Sequence, residues 1–216
     1  MPARSVAQCR SLFEERIDSL LQFADESRGF HFITPNGSRT HIGSRRREMI
    51  VGMTLLHSHI AWEDFLETVF VRFLCGAVPP TGGAPILIRP RFSNNASAMS
   101  DMLASFGSGK FLNWSESNTL RYAARYFHLG EPFATSIGSV KTTSSEMNVI
   151  RNRFAHRSLF SRLEFQRIVT SRLGYVPRGM TVGRFLTGAA PTGTGASNML
   201  DYYTSELKVA ASAIVP

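Results

Sequence analysis

The sequence predicts an all-α fold, a bundle of four to six helices with a long loop insertion, and three observations carry that prediction. Apolar residues recur at steps of three and four over two long stretches. No run shows the period-two alternation of a strand. No internal repeat is present.

Val6, Cys9, Leu12, Phe13, Ile17, Leu20 and Leu21 fall on one helical stripe, so residues 5–25 read as an amphipathic helix. Residues 29–43 are polar and turn-rich around Pro35-Asn36-Gly37, which reads as a loop or short hairpin. A long helix is expected over residues 46–74, with Ile50, Met53, Leu56, Ile60, Trp62, Phe65, Leu66, Val69, Phe70 and Phe73 as its apolar members. Arg45-Arg46-Arg47 precedes it and reads as a solvated charged turn ahead of the alternative, a second phosphate-binding patch, and Gly76 and Pro79-Pro80 end it.

Residues 76–98 are rich in Pro, Gly and Asn and read as an irregular loop, in which Ile86-Leu87-Ile88 is either a tucked-in segment or one short strand. Shorter helices are expected at 98–106 and 116–129, the second stopped by Gly130 and Pro132. Hydroxyls at Thr142 to Ser145 offer N-caps for a helix running through Ile150 and Phe154 to about His156. Helices at 160–173 and 197–213 follow, separated by a Gly/Pro/Thr-rich connection at 174–196. At 216 residues the chain suits a single domain, 1–216.

Composition bounds the function. The chain has 24 Lys+Arg against 16 Asp+Glu, a net charge of +8, and 21 of the basic residues are Arg. Arginine presents a rigid fork that matches phosphate with paired hydrogen bonds, so the surplus points to a polyanionic partner. It is concentrated: residues 147–184 hold eight Arg and one acid, Glu164. No apolar run approaches the ~18–20 residues of a membrane span, since Glu63, Asp64, Glu67 and Arg72 interrupt residues 60–74. Residues 1–25 lack a signal-peptide core. Two cysteines, Cys9 and Cys75, make no disulfide framework and read as buried thiols. A cytoplasmic protein without membrane contact is the expectation.

Within the basic stretch lies Ile150-Arg151-Asn152-Arg153-Phe154-Ala155-His156-Arg157-Ser158. On a helix Asn152 and His156 share a face. Arg151 and His156 stand about 140° apart around the axis and about 7.5 Å along it, within reach of one phosphate for a side chain as long as arginine. Ile150 and Phe154 would anchor the other side in the core. His57 and His59 lie some 200° apart and cannot chelate one metal together, and no metal site or cofactor is expected.

The Arg-Asn-x-x-Ala-His pattern at Arg151–His156 resembles the signature of the HEPN-domain superfamily, in particular the HEPN proteins of the RiboL-PSP and MAE-28990 kind. His59-Ile60-Ala61-Trp62-Glu63-Asp64-Phe65-Leu66 is similar to their Trp-Glu-bearing second helix. The Arg157-Ser158 continuation and Gly183-Arg184-Phe185-Leu186 ahead of the last helix also look similar. The resemblance spans roughly residues 5–212. It implies a metal-independent endoribonuclease that works as a homodimer with two motifs facing each other, acting as a toxin or as an effector of stress response or antiviral defence. Some such toxins carry, two residues after the His, a Tyr whose modification silences them. Ser158 stands here, so that route of control by an antitoxin is not implied.

The residue types suit that chemistry. The substrate's own 2′-hydroxyl can attack its phosphate, leaving a 2′,3′-cyclic end. The step needs a group that titrates near neutrality, for which histidine is the natural residue type, and positive charge on the phosphorane. His156 and Arg151 are therefore the expected catalytic pair. Asn152 assists by orienting the imidazole or bonding the phosphate, Arg153 and Arg157 either contact RNA phosphate or form a solvated face, and Glu63 either makes a surface or intra-bundle salt bridge or orients a motif Arg or His. One motif supplies one titrating group, and a symmetric dimer supplies two. A non-catalytic HEPN-fold module that binds RNA or protein is the alternative. A basic DNA-binding helical protein is a third reading, without a recognition helix to support it.

Overall fold

The computed structural model describes residues 4–107 and 111–216. Lys110 lies outside them. The fold is all-α: among the described residues there are nine α-helices and one two-stranded sheet. The first helix, α1 (Val6–Glu26), buries Val6, Cys9, Phe13 and Ile17 of the predicted stripe, while Leu12 faces solvent. A hairpin of β1 (His31–Ile33) and β2 (Arg39–His41) follows, antiparallel with His31 opposite His41 and Phe32 opposite Thr40. The long helix α2 (Ser44–Leu74) begins two residues before its predicted start. The arginine triplet is therefore its first turn rather than a turn preceding it.

The chain packs as two compact units, Met1–Glu15 with Ala61–Thr142 and Leu207–Pro216, and Arg16–Ile60 with Thr143–Glu206. The first contains α3 (Asn95–Phe106), α4 (Glu116–Tyr126) and α5 (Phe133–Ser139). Asn94 caps α3 by accepting from the Ser97 N–H at 2.9 Å, which starts that helix three residues earlier than predicted. An aromatic cluster around fully buried Phe70 fills this unit, with Phe133 and Phe127 at ring-centroid distances of 4.8 and 5.0 Å. α4 stops at Tyr126, short of its predicted end. Phe127 turns extended and bridges Leu87, with the Ile88 N–H donating to Tyr126 O and the His128 N–H to Ile86 O. The apolar patch of the loop is thus tucked in on an isolated bridge. Burial, reinforced by the 2.5 Å hydrogen bond it donates to Asp101, pushes the Tyr126 hydroxyl up to about 12. Cys9 is buried, but Cys75 is only partly so, which corrects the expectation of two buried thiols.

The second unit carries most of α6 (Lys141–Ala155), all of α7 (Leu159–Leu173) and α8 (Val182–Leu186), and the start of α9 (Met199–Ile214). α6 starts at Lys141, one residue after α5, so Thr143 and Ser144 are buried within it rather than capping it. Glu146 braces this unit. Its carboxylate accepts from Arg172 at 2.8 and 3.1 Å and from the Tyr203 hydroxyl at 2.7 Å. Burial alone would lower the Arg172 pKa, but the hydrogen bond and charge of Glu146 raise it. The Tyr203 hydroxyl is raised by burial and then by the same carboxylate. α8, at five residues, falls inside the stretch read as a connection. Its Gly183 lies so close to Glu48 that a Cβ there would stand 2.4 Å from the Glu48 Cα.

Candidate active site

The Arg-Asn-x-x-Ala-His motif occupies the corner between α6 and α7. Local chemistry sets that corner. α6 ends at Ala155, one residue before the predicted end, and the His156 N–H makes its last α-type bond, 2.8 Å to Asn152 O. Ser158 then caps α7, its hydroxyl accepting from the Ser161 N–H at 3.1 Å. The Ser161 hydroxyl sits 2.8 Å from His156 O and 3.0 Å from Ser158 O. His156 is thus held through its backbone on both sides while its imidazole is exposed. Position 158, where some toxins of the resembled family carry a modifiable Tyr, serves here as a helix cap.

Arg151 is half-buried in the last turn of α6. Its Nη2 donates to Asn148 Oδ1 at 3.1 Å, and its Nε is buried with no hydrogen-bond partner. A buried donor without an acceptor is uncommon in a folded protein, and here the Nε edge of the guanidinium is turned away from solvent. Asn152 is exposed, and its side-chain amide makes no hydrogen bond to His156. Of the two roles expected for it, the structure leaves contact with a phosphate and does not form the orienting bond. Arg153 is half-buried and Arg157 exposed. Ile150 is fully buried, and the Phe154 ring lies against Gly52 of α2, so the expected apolar anchors hold. Glu63 lies in the other compact unit, on the stretch of α2 beginning at Ala61.

Electrostatics separates this corner from the rest of its unit. Residues 16–60 and 143–206 hold 14 Arg against 8 Asp+Glu, a surplus of six of the chain's +8. The acids are largely engaged elsewhere. Glu146 binds Arg172, Glu48 binds Arg184 at 2.9 Å, Glu164 binds Arg167 at 2.5 Å and Asp25 binds Arg28 at 3.2 Å. Among the described residues no carboxylate pairs with Arg151, Arg153, Arg157 or Arg162. Five cationic or titratable side chains between positions 151 and 162 therefore surround the corner without a counter-ion.

Two cavities of this unit are built elsewhere. One of about 550 Å³ is lined by Arg28, Arg47, Glu48, Arg184 and Asp201, and one of about 480 Å³ lies beside the hairpin. At the motif Asn152, His156 and Arg157 are exposed. Asn148 and Ser161 escaped the sequence reading. The i,i+3 spacing of Asn148 to Arg151 was the available signal for the first, and the Ser-x-x-Ser spacing for the second. No described helix is long and apolar enough to cross a membrane. No protein-family model, curated protein or solved structure matches the chain.

Proposed function

We propose that this protein is a HEPN-type endoribonuclease that cleaves RNA without a metal, by attack of the substrate's 2′-hydroxyl on the adjacent phosphate. The observation that carries the reading is the exposed imidazole of His156, pinned through its backbone in a corner whose arginines lack carboxylate partners. Arg151, half-buried in the same motif as His156, neutralises the phosphorane with the charge of its guanidinium. Arg153 and Arg157 hold flanking phosphates, and Asn152 bonds a phosphate oxygen. His156 moves the proton.

A homodimer completes the chemistry by supplying a second imidazole. Support comes from the start of α7, where Leu159, Phe160 and Leu163 stand exposed three to seven residues beyond His156, Phe160 at 73%. A second copy would cover this apolar face and bring two motifs together. The biological role would be that of a cytoplasmic toxin or defence effector held in check by an antitoxin or regulatory partner. The test is cleavage of an RNA in which the residue before the scissile phosphate carries 2′-deoxyribose. Loss of cutting at that bond supports the mechanism, and undiminished cutting refutes it.

One observation favours the alternative, a non-catalytic module that binds RNA or protein: among the described residues no side chain orients the His156 imidazole. RNA bound but left intact by the wild-type dimer would establish that reading.

A further inference from the structure

The hairpin and the first turn of α2 form a second cationic surface in the same compact unit as the motif. Their groove, about 480 Å³, is lined by Phe32, Thr40, Arg45, Arg46 and Met49. Antiparallel register puts Phe32 and Thr40 side by side on one face of the hairpin. The Arg46 guanidinium lies 4.9 Å over the Phe32 ring. Phe32 and Met49 are both exposed, at 37% and 56%.

The charges here are not explained by folding. α2 opens Ser44-Arg45-Arg46-Arg47 with no acid in its first turn, so three like charges crowd one turn. The adjacent carboxylate, Glu48, is held by the Arg184 Nε at 2.9 Å and the Thr181 hydroxyl at 2.7 Å. The Phe32 ring and the charge of Glu48 offset this surplus only in part, and a local rule so incompletely compensated marks a binding surface. The ligand must supply anions to the arginines and flat faces to the ring. Unpaired nucleic acid offers both, phosphates at regular intervals and bases that stack on aromatic rings and guanidinium planes. A lipid surface fits less well, because the hairpin tip Thr34-Pro35-Asn36-Gly37-Ser38 carries no apolar wedge.

We propose that this groove is an RNA-contact site separate from the cleavage corner, holding a single-stranded stretch of the same substrate. The inference rests on the ribonuclease reading for its substrate, and the test keeps the two apart. Binding of a fluorescent, unstructured single-stranded RNA to His156→Ala protein is followed by anisotropy across a salt series. In that background Arg45→Ala/Arg46→Ala should weaken binding at least about fivefold and flatten the log–log salt slope by roughly 1.4, from two lost phosphate contacts. Phe32→Ala should weaken it by about tenfold with the slope unchanged, the signature of lost stacking. Unaltered affinity in the double variant overturns the proposal, as does groove-dependent binding to phosphatidylserine vesicles with RNA binding unaffected. In proteins that retain His156, the double substitution should raise the KM for RNA and leave kcat in place. RNA that is cut equally well by the double variant sinks the groove and spares the nuclease. RNA that binds through the groove and is never cut does the reverse.

Discussion

Gly183→Ala tests the packing that holds α8 to α2. A Cβ at position 183 would stand 2.4 Å from the Cα and 2.4 Å from the carbonyl oxygen of Glu48, where ordinary contact begins at 3.4 Å. Backbone cannot swing aside as a side-chain end can, so α8 must retreat by about 1 Å. That retreat pulls on Phe185 and Leu186, which are 1% and 0% exposed, and stretches the bonds from Thr181 and Arg184 to Glu48. Overpacking of this kind costs about 1–3 kcal/mol. The strained bonds add roughly 1 kcal/mol, kept low because Arg184 is half in solvent. Better helix propensity returns about 1 kcal/mol. The net is a loss of about 1–3 kcal/mol, or a fall in Tm of roughly 2–12 °C for a chain of this size. Thermal unfolding followed by circular dichroism reads it directly. Gly138→Ala at an exposed position of α5, where a Cβ meets nothing within 4 Å, is the paired control and should be neutral or stabilising by up to about 1 kcal/mol. A Gly183→Ala protein that melts with the wild type, or both variants shifting upward together, would refute the argument.

Other expectations follow from the same contacts. At Glu48, burial alone would raise the carboxyl, but the hydrogen bonds from Thr181 and Arg184 and the charges of Arg184 and Arg45 outweigh it and hold the pKa below its ordinary value. Its contribution is therefore full above the unfolded carboxylate pKa and lost as pH falls through the lower folded value. The Tm gap between wild type and Glu48→Gln should be widest above about pH 5 and narrow as the pH falls below the ordinary carboxylate range. Gly52→Ala places a Cβ 2.2 Å from the Phe154 ring, which can yield because it is a half-buried side chain. Its Tm should fall less than that of Gly183→Ala, while RNA cleavage drops as the end of α6 shifts. Ser161→Ala removes the hydroxyl that holds His156 O, and should cost about 1 kcal/mol in a melt and lower kcat more than it raises KM.

The sequence made the long elements legible and the short ones opaque. α1 and α2 are long enough for three- and four-residue spacing to accumulate, and their buried sides follow it with local exceptions at Leu12, Met53 and Ile60. At seven and five residues, α5 and α8 give no such periodicity, and Pro132 reads as a stop although it directly precedes α5. Helix ends depended on tertiary partners. α4 stops at Tyr126 because Phe127 pairs with Leu87, a contact forty residues away in sequence. The hydroxyl run from Thr142 resembles a cap, but the chain enters α6 directly from α5. At the site, the concentration of arginine and the single histidine were readable from spacing. The corner that exposes that histidine was not, because it depends on Ser158 and Ser161 bonding back to the turn. Nor was the Phe32–Arg46 stack, which requires knowing that Pro35-Asn36-Gly37 closes a true hairpin.

The central claim is that His156 and Arg151 cleave RNA without a metal. Purified wild-type protein and the His156→Ala and Arg151→Ala variants, each with an unchanged melt, should be incubated with a single-stranded RNA in excess EDTA and the product ends analysed. The account predicts fragments ending in 2′,3′-cyclic phosphate from the wild type and none from either variant. Full cleavage by His156→Ala, or cleavage by the wild type only after a divalent metal is restored, would contradict it.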